Sequence, residues 1–178
     1  MRITPLLAVA LLAPSLAFAA GSGSSTPPKT TKTSTDCKAG EIYDKASKTC
    51  VDAQSGSLDD DLRYNAVREL AYAGQYERAE LVLSSMTDQA SSPVLTYRGF
   101  IARKTGNMDA AMEFYTAALA ANADNILARS YMGQAFLSLG NRDAAQAQLT
   151  EIRQRGGRNT WAEASLDLAL QSGKTFSY

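Results

Sequence analysis

Apolar positions are spaced in three ways along this chain, and each spacing predicts a different element. From Leu58 onward they recur every three or four residues, as in Met132, Ala135, Phe136 and Leu139, or Ala145, Leu149 and Ile152. That is the stripe of an amphipathic helix, and Pro93 is the only proline in the stretch. Between Cys37 and Val51 the runs "EIYD" and "KTCV" flank a turn-prone "KAS", the mark of a short hairpin. Nearer the start, Leu6 to Leu12 is a continuous apolar run, whereas "GSGSSTPPKTTKTSTD", residues 21–36, carries almost nothing apolar. Such a segment cannot offset its ordering entropy by burial, so residues 20–36 are expected to be a flexible, slightly basic linker.

The helical stretch repeats itself. "GNMDAA" begins at Gly106 and "GNRDAA" at Gly140, 34 residues later. Aligning the glycines gives three units, in which Gly74, Gly106 and Gly140 share one position and Ala79, Ala111 and Ala145 another. Each unit reads as two helices joined by a tight turn. The glycine suits the left-handed position that ends a helix, and Asn107 and Asn141 suit the cap that starts the next. Asp109 and Asp143 then fall in its positively polarised first turn. Thr160 to Gly173 reads as the first helix of a further unit without its second, with Trp161, Leu166 and Leu170 turned inward as an end cap. The tail "KTFSY" is expected to fold back onto that helix.

This pattern resembles the tetratricopeptide repeat family. A small residue falls in the first helix (Gly99, Gly133), followed by a turn glycine, an alanine, a large residue four positions on (Leu83, Tyr115, Leu149), and a further alanine at Ala118. Unit one departs from the pattern, with Val67 at the small position and a spacing two residues shorter to the next turn glycine. The resemblance implies an all-α fold: a right-handed superhelix of three helix pairs over residues 58–159, a capping helix at 160–172 and a tail at 173–178. A disordered arm and a disulfide hairpin at 37–51 would precede it. It also implies binding of a protein or peptide along the concave face made by the first helices. The corresponding positions are Tyr64, Asn65, Arg68 and Tyr72 in unit one. Unit two supplies Thr96, Tyr97, Phe100, Arg103 and Lys104, and unit three Ser130, Tyr131 and Gln134. Tyr97 and Tyr131 stand one repeat apart and should line the same wall, although the same tyrosines could equally seal helix packing. Aromatic rings among Arg and Lys suit a partner carrying carboxylates and apolar side chains. The family's carboxylate-clamp subset uses Lys and Asn where this chain has Tyr64 and Arg68, so that mode is not expected.

Composition narrows the chemistry. Basic and acidic residues balance at 18 each, which argues against nucleic acid or an anionic membrane surface as partner of the whole chain. No histidine occurs, which removes the usual general base and the commonest metal ligand. No Walker loop or dinucleotide fingerprint is present. Asp59, Asp60 and Asp61 suit a helix N-terminus, and Glu69, Glu77, Glu80, Glu113 and Glu151 read as solvated helix positions. The arginines of "RQRGGR", Arg153 to Arg158, fit the end of a helix better than a phosphate site. The expectation is no enzyme, no metal and no cofactor.

Arg2, the Leu6–Leu12 run and Ala17-Phe18-Ala19 have the order of a secretory signal, residues 1–19, leaving no integral membrane segment after its removal. A periplasmic or secreted chain would oxidise its two cysteines, Cys37 and Cys50, closing a loop worth about 3 kcal/mol. Cys37-x-x-Gly40-x-x-Tyr43-Asp44, closing at Cys50, resembles one piece of small chitin-binding modules, which implies a sugar contact at Tyr43. Two functional readings follow. The first is a cell-envelope scaffold or adaptor that binds a protein partner on the concave face. The alternative is a cell-envelope glycan binder using the Cys37–Cys50 hairpin. Self-association through the repeat ends is compatible with either.

Overall fold

The computed structural model describes residues 28–176; the segment read as a secretory signal lies outside them. Three consecutive helix pairs make up most of the chain: α2 (Asp60–Tyr72) with α3 (Tyr76–Ser84), α4 (Ser92–Lys104) with α5 (Met108–Ala121), and α6 (Ile126–Ser138) with α7 (Arg142–Gln154). A final helix, α8 (Trp161–Ser172), packs on α6 and α7. Ahead of the pairs stand a single-turn helix, α1 (Lys32–Thr35), and an antiparallel hairpin of β1 (Glu41–Asp44) and β2 (Thr49–Asp52). The Cys37–Cys50 disulfide closes that hairpin, with Cα atoms 5.5 Å apart. The fold is the mostly helical repeat stack that the sequence implies, with the small disulfide hairpin in front.

The turns are built by local chemistry. Gly74, Gly106 and Gly140 take φ of +75°, +89° and +77°, the left-handed region that ends a helix without a Cβ clash. Asn107 and Asn141 then accept hydrogen bonds from the Ala110 and Ala144 amides at 3.2 and 3.1 Å, starting α5 and α7. Asp59 does the same for α2 through the Leu62 amide at 2.7 Å. Asn125 caps α6 and is itself buried, its amide nitrogen donating to Ser92 Oγ and Thr96 Oγ1 at 2.8 and 3.0 Å. That bond set ties the start of unit three to the start of unit two.

Packing explains the small residues. A Cβ on Gly99 would lie 2.5 Å from the ring of Tyr115, and one on Gly133 would lie 2.6 Å from Leu166. Each glycine therefore lets a large side chain from a neighbouring helix lie against the backbone. In unit two the visitor comes from the same pair; in unit three it comes from α8. Ile42 and Ala53 of the hairpin region belong to the same core cluster as Val67, Leu70, Tyr97 and Tyr115. The hairpin is therefore a packed part of the first repeat's surroundings.

The arm departs from expectation at its end. Lys32–Thr35 is helical, with Thr33 and Ser34 buried, so the flexible linker expected through Asp36 is corrected over these residues. The ordering comes from polar bonds that composition does not register. Glu69, read above as a solvated position, is 7% exposed. Its carboxylate accepts from the Thr31 amide and hydroxyl at 2.7 and 2.8 Å, and from the Ser34 amide and hydroxyl at 3.1 and 2.5 Å. At the other end of α1, Arg78 donates to the carbonyls of Thr33, Ser34 and Cys37 at 2.6, 3.3 and 2.8 Å. An anion thus holds the N-terminus of the single turn and a cation its C-terminus, each matching the local backbone polarity.

Candidate functional site

The residues expected on the inner face come from α2, α4 and α6, and the structure divides them into two sets. Tyr97, Phe100, Tyr131 and Gln134 are fully buried, so they are core and not an open wall. The rings interlock: Tyr64 lies edge to face 5.5 Å from Tyr97, Tyr72 edge to face 5.9 Å from Phe100, and Phe100 tilted 4.9 Å from Tyr131. Tyr72 Oη sits 2.7 Å from Tyr131 Oη and accepts from Tyr97 Oη at 3.2 Å. Tyr72 of unit one thus touches Tyr131 of unit three. The three first helices converge closely enough for their aromatics to fill the space between them, which is the physical reason for the correction. Burial pushes the Tyr97 and Tyr131 hydroxyls well above their ordinary range. Burial also pushes Tyr115 up to about 12, against the pull of the Arg103 guanidinium. Thr96 and Ser130 are likewise buried, with Thr96 bonded to the Ser92 carbonyl at 2.6 Å and Ser130 to Ser165 Oγ at 3.0 Å.

Arg103 is the second correction: it is 7% exposed and not a groove-wall cation. Its guanidinium faces the rings of Phe100 and Tyr131 at 5.7 and 5.9 Å, while Nε and Nη2 find no hydrogen-bond partner among the described residues. Lys104 is half-buried, with its ammonium 5.7 Å from the Phe100 centroid; burial, then the neighbouring Arg103, lowers its pKa. Asn65 is exposed, and Tyr64, Arg68 and Tyr72 are half-buried. These residues with Lys104 are the expected site positions that solvent reaches.

The described part of the tail reaches α6. Gly173, at φ +70°, turns the chain out of α8, and the Phe176 amide donates to Gln134 Oε1 at 2.6 Å. The end of the described chain is therefore tied to α6 through Gln134.

On the N-terminal side the arm, the hairpin and α2 enclose a cavity of about 350 Å³. Its lining includes Ile42, Leu58, Leu62 and Ala66, with Lys29, Lys45, Asn65 and Arg68. Tyr43 also borders it, half-buried, with the Lys32 ammonium 5.4 Å from the ring centroid. Glu69 and Arg78, which order this region, were missed by sequence reasoning. Their partners lie 35 to 45 residues away, and no local pattern marks them.

The basic run near the end is used internally. Arg153 pairs with Glu163 at 2.6 Å, and Arg155 with Asp124 and Glu151 at 2.5 and 2.9 Å. Among the described residues no group of three acidic, cysteine or histidine side chains is arranged to hold a metal ion. No helix among them is long and apolar enough to cross a membrane.

A family model described as tetratricopeptide repeat matches residues 102–169, from the last turn of α4 into α8. No curated protein and no solved structure matched the chain.

Proposed function

We propose that this chain is a non-catalytic scaffold or adaptor for a protein partner in the cell envelope; the match of residues 102–169 to the tetratricopeptide repeat, whose repeats generally mediate protein–protein interaction, supports this reading. The partner segment lies along the inner face, over α4 and α6, and is held from the rim by Asn65, Arg68 and Lys104 with the exposed parts of Tyr64 and Tyr72. The observation that carries this reading is the chain's own tail: Phe176 donates a main-chain N–H to Gln134 on that face. A face that accepts one segment through its backbone has the chemistry to accept another. The disulfide is compatible with an envelope setting. The glycan alternative draws no support from Tyr43, because Lys32 already stacks on the ring a sugar would cover.

The test is capture of crosslinked partners from the source cell's envelope with three proteins: wild type, Arg68→Ala with Lys104→Ala, and a chain lacking residues 174–178. A partner held by wild type, lost by the double variant and held more tightly after tail removal supports the reading. Capture that is indifferent to both changes overturns it.

A further inference from the structure

The cavity under the hairpin adjoins the rim of the inner face at Asn65 and Arg68 and opens between the arm and the hairpin. Its walls come from three parts of the chain: Lys29 and Thr31 from the arm, Ile42, Tyr43 and Lys45 from the hairpin, and Leu58 to Glu69 from the start of unit one. Its floor is apolar, made by the buried Ile42, Leu58 and Ala66, and Leu62 stands at its edge 39% exposed. A leucine presented beside a concavity gains by being covered.

The charges around that floor are one-sided. Lys29, Lys45 and Arg68 border the cavity, and the only acid among its lining residues is Glu69. Glu69 already accepts four hydrogen bonds from Thr31 and Ser34, which uses the acceptor capacity of one carboxylate. The groove therefore presents two exposed lysines, Lys29 and Lys45, over an apolar floor, with its one carboxylate turned to the arm. About 350 Å³ admits a few side chains and not a folded domain.

We propose that this groove binds an acidic, extended segment of a protein partner, one apolar side chain resting on Leu58 and Leu62 and the flanking carboxylates meeting Lys29 and Lys45. A nucleic-acid strand would match the cations and leave the apolar floor without a contact. The proposal goes beyond the inner-face reading, since it stands on the arm and the hairpin.

The probe is a fluorescein-labelled, end-blocked peptide DDLDD, titrated by anisotropy against the full chain at low and at high salt, with NNLNN and a poly-dT oligonucleotide as comparisons. DDLDD is expected to bind about tenfold more tightly than NNLNN and to weaken with salt. Lys29→Glu with Lys45→Glu, both exposed positions that leave the fold intact by circular dichroism, is expected to lose about tenfold. Leu62→Ser is expected to lose several-fold, while Lys104→Ala changes nothing. No binding of DDLDD, equal binding of NNLNN, or indifference to the charge reversal overturns the proposal, as does tighter binding of the oligonucleotide. Because Arg68 borders both places, the two readings are separated by the others: Lys104→Ala reports on the inner face, and Lys29→Glu with Lys45→Glu on this groove.

Discussion

Two junctions in this molecule are held by opposite means. Where the arm meets unit one, the contact is a set of directed polar bonds: Glu69 at one end of α1 with four donors, and Arg78 at the other with four carbonyls. Within unit two, and where α8 closes on unit three, the contact is one of shape, with Tyr115 against Gly99 and Leu166 against Gly133. The first kind is satisfied or broken bond by bond, and a missing partner leaves buried donors stranded. The second kind is graded by volume, and it fails when an atom is added.

That contrast can be broken in several ways. The largest effect is expected from Glu69→Ala, which strips four donors of their acceptor and should cost the docked arm about 3 kcal/mol or more. Hydrogen exchange should show amide protection lost from Thr31 to Thr35 and kept in α4 to α7. A whole-chain loss would mean that the two junctions are one cooperative unit. Gly99→Ala attacks the other junction. The new Cβ meets a fully buried ring, so a loss of about 1–3 kcal/mol is expected, read as a lower urea midpoint with unchanged slope.

Alkali should act on the shape-packed contact through Tyr115, which lies against Gly99. Tyr115 is raised from 10.0 to about 12, so above pH 10 the unfolded chain loses its proton first. The contribution is complete below pH 10 and falls as pH rises through 12, by about 2 kcal/mol at pH 12. Tyr115→Phe should flatten the alkaline limb measured by thermal unfolding. The smallest effect is expected at Asn141→Ala, about 1 kcal/mol, since that cap serves a solvent-facing turn. Asn125→Ala should cost more in the same assay, because Asn125 also donates to Ser92 and Thr96 in the interior.

The two junctions also differ in how far the sequence announces them. Turn glycines, asparagine caps and the small positions at Gly99 and Gly133 recur at the repeat spacing, so spacing alone exposes them. The order of the arm does not depend on apolar content, which is why its composition suggested a free tether. It depends on Glu69, whose acceptor role needs Thr31 and Ser34 brought from far along the chain. At the inner face, spacing correctly put Tyr97 and Tyr131 one repeat apart. Whether such rings meet solvent or each other depends on how closely three helices converge, seen here in the contact between Tyr72 and Tyr131. Periodicity within one helix carries no information about that distance.

The tail on α6 has a consequence for any partner of the inner face. A segment tethered through the last helix competes at an effective concentration on the order of millimolar, however weak its own contact. A freely diffusing peptide must overcome that local excess, whereas a partner already anchored elsewhere on the chain enjoys a similar advantage. The groove beneath the hairpin would supply such an anchor. Admission to the inner face would then go to ligands that arrive by two handholds, and single-site binders would be turned away by proximity alone.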